Sequence, residues 1–275
     1  GNMMTFPYLK ETYDIPGFYI DVPYEKNKDS VVYVAEQLRE LKHFLEEVTG
    51  KNISEEAVCQ AVANSRKASS NYQQQLTLRK DHDPVTTITN ELYAIFMCHL
   101  LAGSEASVKY TEMLLNDVKK APKGEGLHVI WMHIMPFLQA PVKEIFNYST
   151  KMHIRACDFV ADGFQEMHEE DPYEALAEKM VYSIYNGSVS QRIQVAEKLA
   201  RETEADGGIL FAHWGCKGTI GASSLIKSSL EKAGIPTMIL DGDGCNPANT
   251  SDGQVSTRLQ AFVEMLEEGK EEKEL

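Results

Sequence analysis

No apolar run in this 275-residue chain reaches the ~18–20 residues that a membrane-spanning helix needs. The most apolar stretch, residues 92–101, is too short and contains His99. The opening residues, Gly1 to Thr5, lack the basic start and apolar centre of a secretory leader. Cysteine is scarce. Cys59, Cys98, Cys157, Cys216 and Cys245 are odd in number and widely scattered, which excludes a paired disulfide framework. Positive charge is also short: 27 Lys and Arg face 41 Asp and Glu, a net charge of −14. That balance argues against a nucleic-acid partner or an anionic membrane surface. The eight histidines form no H-E-x-x-H or other zinc spacing, and the chain has no C-x-x-C, G-x-G-x-x-G or G-x-x-x-x-G-K-[ST]. No internal repeat is present. These absences predict a cytoplasmic protein in a reducing setting, whose cysteines are free, metal-bound or catalytic.

What is present is an ordinary globular composition, 43% hydrophobic and 25% charged, with length for one or two domains. Residues 1–26 hold Pro7, Pro16 and Pro23 and read as an extended lead-in, with a strand-like piece at Phe18–Val22. Residues 27–120 read as helical. Apolar residues at helical spacing run from Val32 to Val48 and stop at Gly50. Ser54 and Ser104 are caps, and Asp83-Pro84 is a break. Residues 121–126 form a linker. Residues 121–268 then alternate strand and helix, with strands at Leu127–His133, Ile154–Val160, about 207–212 and about 235–240. Residues 269–275 read as a charged, solvated tail. The fold class is therefore α/β: a helical segment followed by a doubly wound parallel sheet of about four strands, Rossmann- or flavodoxin-like.

Cys216 and Cys245 occupy equivalent places. Each follows a short apolar run and lies in a Gly-rich turn, at the strand edge where open α/β sheets place ligands. A lone cysteine is ordinarily a small buried hydrophobe. Two in equivalent turns point to a shared metal centre, and soft thiolates suit zinc or iron–sulfur. His213, three residues before Cys216, is placed beside that centre or facing substrate. Lys217 can meet an anionic group. Asp243 lies in a D-G-D turn that resembles half of a calcium loop but lacks the remaining ligand spacing. Gln254 and Arg258 are four apart and share a helix face, where Arg258 is expected to pair with a carboxylate such as Asp243. His133, at the end of the first strand, is either a pocket-lining or a packed histidine. Cys59, Cys98 and Cys157 read as core.

The stretch from Asp206 to Cys216, the segments Gly234–Pro236 and Leu240–Asp243, and the run from Gln254 through Arg258 and Phe262 to Leu266 resemble the end of 2-hydroxyacyl-CoA dehydratase subunits, a family that includes benzoyl-CoA reductase subunits. Tyr19–Pro23, Tyr33–Leu38 and Glu46–Gly50 resemble the middle of the same subunits. The resemblance implies an oxygen-sensitive cytoplasmic enzyme that pairs two related subunits, each with an iron–sulfur cluster such as [4Fe-4S]. It implies an ATP-dependent activator that delivers one electron, and water loss from an acyl-CoA substrate through a ketyl radical. By position, Cys216 and Cys245 match cluster cysteines. Family subunits carry a further α/β domain, with another cluster cysteine, before the matched segment, and this chain is expected to begin after it. Three readings follow: a cluster-binding dehydratase subunit, a reductase-like or non-catalytic electron-transfer scaffold, and a metal-free Rossmann-like small-molecule binder.

Overall fold

The computed structural model describes residues 2–249 and 251–274. The chain divides into two compact units, residues 1–63 with 167–187 and residues 64–166 with 188–275. The boundary falls inside one helix, so the expected helical region 27–120 belongs to both.

The first unit contains α1 (Asn2–Tyr13), α2 (Lys28–Thr49), the start of α3 (Glu55–Leu78) and α8 (Pro172–Val181). Asn27 caps α2 by accepting from Ser30 N, and Asp171 caps α8 by accepting from Tyr173 N and Glu174 N, with Pro172 in the first turn. Val31, Val34 and Ala35 of α2 bury against Tyr173, Ala177 and Val181 of α8. The extended lead-in is corrected here, because its first half is helical. The strand-like piece at Phe18–Val22 joins no sheet. A side-chain amide takes the place of a strand partner: Asp21 N donates to Gln37 Oε1 at 2.8 Å, and Gln37 Nε2 returns a bond to Asp21 O at 2.9 Å.

The second unit holds the rest of α3, α4 (Ile88–Leu100), α5 (Glu105–Lys120), β1 (Leu127–Met132), α6 (Ala140–Phe146), β2 (Met152–Cys157), α7 (Asp158–Gly163), α9 (Val189–Glu202), β3 (Gly207–His213), α10 (Lys217–Lys232), β4 (Thr237–Gly242) and α11 (Asp252–Glu274). Ser104 caps α5 as expected, accepting from Ser107 N. The four strands are all parallel, in the order β2-β1-β3-β4. Every residue of β1 and β2 is buried, as in a sheet covered on both faces. The chain moves outward from β1 to β2 and returns to β3 on the other side of β1, so the topological switch point lies between β1 and β3.

The second strand ends earlier than its apolar run implies. Asp158 and the residues after it turn into α7, so Cys157 caps a helix rather than lying mid-strand. The last helix continues to Glu274 through much of the segment expected to be a solvated tail, and Lys270 Nζ donates to Gly126 O at 2.9 Å. At the amino ends of the strands, buried Asp83 accepts from Arg155 at 3.0 and 3.1 Å and bonds His128 Nε2 at 3.0 Å. No helix among the described residues is long and apolar enough to cross a membrane.

Candidate functional site

The carboxyl ends of β3 and β4 are brought together by register. His213 pairs with Gly242, so Cys216 and Cys245 each lie three residues beyond a paired position. Trp214 N donates to Gly242 O at 2.9 Å, which ties the two loops where they leave the sheet. Cys216 N then donates to His213 O at 2.9 Å, closing a tight turn into α10. Cys216 is the N-cap residue of α10 and is half-buried, with Sγ 3.4 Å from Thr219 Oγ1. The positive end of the helix dipole at that position favours an anionic group.

The second turn is built around Asp243. Its Oδ1 accepts from Cys245 N at 2.8 Å and Asn246 N at 3.1 Å, and its Oδ2 accepts from Asn249 Nδ2 at 2.8 Å. The Asn249 bond, then the two backbone donors, hold the Asp243 carboxyl below the usual carboxylate range. Gly244 N donates to His213 Nδ1 at 3.2 Å, which joins this turn to the end of β3. A Cβ at Gly244 would meet Phe211 at 3.2 Å and Ile134 at 3.3 Å, so the turn lies close against the apolar floor beneath it. The result brings His213, Asp243 and Cys245 together, with one ligand atom from each within 4.8 Å of the others. Cys216 is not part of that set.

The remaining predicted residues distribute around this edge. Arg258 pairs with a carboxylate, that of Asp241. Its NH1 donates to Asp241 Oδ1 at 2.6 Å and its NH2 donates to the Ile239 carbonyl. Asp241 lies on β4 itself, beside α11, whereas Asp243 lies beyond the strand end in the turn. The Arg258 bond holds the Asp241 carboxyl below its ordinary range. Lys217 is exposed in the first turn of α10, and Gln254 is exposed in the first turn of α11.

His133 follows β1 and flanks the switch point. Its backbone takes φ +74°, a left-handed conformation uncommon for a residue with a side chain. The backbone N–H donates to Asp158 Oδ1 at 2.7 Å, which holds that conformation. The ring is buried edge-on to Phe159, and Nδ1 has no hydrogen-bond partner. Burial, with the nearby charges of Arg192 and His213, lowers its pKa to about 4, so it is neutral at pH 7. Arg192 of α9 is buried 3.6 Å from Asp158. Sequence reasoning passed over Asp158 and Arg192. Asp158 was concealed in an apolar run read as strand, and Arg192 looks like any basic residue on an amphipathic helix.

Among known proteins, the family model described as 2-hydroxyglutaryl-CoA dehydratase, D-component, matches residues 1–266. The chain is 24% identical to the (R)-phenyllactyl-CoA dehydratase alpha subunit of Clostridium sporogenes, over 97% of this chain and 68% of that protein. It is 26% identical to the alpha subunit of (R)-2-hydroxyglutaryl-CoA dehydratase of Acidaminococcus fermentans, over 99% of this chain and 60% of that protein. It is 22% identical to a benzoyl-CoA reductase subunit of Thauera aromatica, over 97% of this chain and 68% of that protein. The chain thus spans 60–68% of the length of these relatives.

Proposed function

We propose a function from one premise: the chain belongs to the family of 2-hydroxyglutaryl-CoA dehydratase D-components. On that premise it is a cluster-binding subunit, or the greater part of one, of an enzyme that eliminates water from a 2-hydroxyacyl-CoA. Cys216 and Cys245 are the thiolates it offers to an iron–sulfur centre of the [4Fe-4S] type. A related subunit and an ATP-dependent activator complete the system, which works in an oxygen-free cytoplasm.

The observation that carries this reading is the register of β3 and β4, which puts both cysteine turns on one sheet edge beside the switch point. The donor chemistry fits: soft thiolates suit iron–sulfur centres, and an N-cap position on α10 suits a negatively charged group. Two thiols do not complete a cluster, so other ligands come from outside these two turns. When bound, such a cluster supplies one electron to the acyl-CoA thioester and so labilises the 2-hydroxyl group. The chain's own residues shape the surroundings. His133 presents a neutral imidazole at the switch point, with the buried Arg192 cation near it. Lys217 and Trp214 stand exposed at the rim, where a cation and an indole meet an anionic, partly apolar CoA ester.

The test is anaerobic reconstitution of the chain with iron and sulfide. Broad visible charge-transfer absorption is expected, with loss in Cys216→Ser and in Cys245→Ser. With a sister subunit, activator and ATP, a 2-hydroxyacyl-CoA should lose water. Absorption unchanged in both variants overturns the cluster assignment. A second reading, reductase-like electron transfer, draws support from the Thauera aromatica relative. It predicts that an aromatic acyl-CoA is reduced while a 2-hydroxyacyl-CoA is left intact.

A further inference from the structure

We infer that the cavity between α3, α4, α5 and the outer edge of β2 is a binding site for a cluster of about three ordered water molecules, held by the hydroxyls of Tyr72 and Tyr110. The inference rests on no part of the dehydratase reading.

The strand order leaves β2 at one end of the sheet, with β1 as its neighbour on the other side. Side chains meet its outer edge instead. Arg79, just after α3, donates from NH1 to Ile154 O at 2.7 Å. Beside that contact lies a cavity of about 40 Å³, whose wall includes Tyr72, Gln75, Arg79, Glu91, Tyr110 and Cys157. Tyr72 is 3% exposed, and its ring stacks on Phe164 at 4.9 Å between centroids. Neither its hydroxyl nor that of Tyr110 has a hydrogen-bond partner among the described residues. Burial raises the pKa of both phenols, so each keeps its proton and can donate as well as accept. A buried hydroxyl without a partner costs stability, and native proteins answer it with ordered water where there is room.

Size and charge select the guest. One water needs ~10–15 Å³ of such space, so about three fit. The guanidinium groups of the wall are already matched by carboxylates. Arg155 donates to Asp83 at 3.0 and 3.1 Å, and Arg79 lies 3.5 Å from Glu91. The wall therefore asks for no ion. It offers two phenols that donate and accept. It also offers the Gln75 amide, whose Oε1 accepts from Arg79 Nε at 3.0 Å and whose Nε2 is left to donate. Water matches such a mixed set, because it donates and accepts at several points at once. Waters that bridge Tyr72 on α3 to Tyr110 on α5 tie both helices to the edge of β2 that β1 leaves open.

The experiment pairs a high-resolution crystal structure of the chain with denaturant melts of Tyr72→Phe, Tyr110→Phe and the double variant. Density for about three waters is expected, with at least one within ~3.2 Å of each hydroxyl. Each single substitution removes a satisfied hydrogen bond, so the unfolding equilibrium constant should rise about 2–10-fold. The double variant should rise by less than the product of the two, because the hydroxyls share the waters. A dry cavity reverses the sign, since removing an idle buried hydroxyl leaves stability unchanged or higher. Unchanged or higher stability in Tyr72→Phe, density for an ion in the cavity, or side chains closed over the space overturns the site.

Discussion

His133 is the residue whose local chemistry departs furthest from its sequence appearance. It has a left-handed backbone, a buried ring and an unpartnered Nδ1. Its pKa falls from an ordinary ~6.5 to about 4 in the folded protein. Between those values the unfolded chain binds a proton that the native chain refuses. Stability is therefore full above about pH 6.5 and falls as the pH drops towards 4, by at most about 3 kcal/mol. His128 works in the opposite direction. Burial pulls its pKa down, but bonds to Asp206 and Asp83 outweigh it and leave the value raised. Its contribution is present at low pH and fades as pH rises through the raised value. His133→Asn, a residue that tolerates the left-handed region, separates the two. Denaturant melts from pH 4 to 7 should show a shallower acid loss in the variant than in the parent. Parallel curves would mean that His133 is protonated as readily as in the unfolded chain.

At the scale of elements, the sheet depends on close approach of backbone rather than on side chains alone. Gly126, just before β1, places no side chain in the space beside β2. A Cβ there would lie 2.4 Å from the backbone carbonyl of Lys151, whose oxygen accepts from Leu127 N at 2.7 Å. Gly126→Ala must push β1 and β2 apart at their amino ends, and a cost of about 1–3 kcal/mol or more is expected. Gly221, inside α10, meets nothing within 4 Å, so Gly221→Ala should stabilise by about 0.5–1 kcal/mol through helix propensity and unfolded-state entropy. Chemical denaturation of the pair checks both signs. The caps at Ser54 and Ser104 were legible because capping is local: a side chain bonds an amide three residues on. Helix α1 and the turn of the chain into α7 were not. Three prolines suggested extended chain throughout residues 1–26, and the apolar run across Cys157 hid a helix start.

For the whole molecule, the net charge of −14 sets the expected partners. Like charge repels anionic surfaces, so co-sedimentation with phosphatidylserine vesicles at physiological salt should leave the chain in the supernatant. Appreciable pelleting would reveal a local basic patch that the overall balance hides. The amino-acid order by itself determined the element alternation, the parallel sheet and the placement of both cysteine turns, because these follow from periodicity, apolar runs and glycines within ten residues or so. Only the tertiary structure decided which side chains meet. Strand register set His213 opposite Gly242 and so gathered His213, Asp243 and Cys245. The packing of α11 beside β4 set Arg258 against Asp241, and the packing of α9 buried Arg192 beside Asp158. Those contacts join residues far apart in the chain, and local pattern carries no information about which distant strand a segment will lie against.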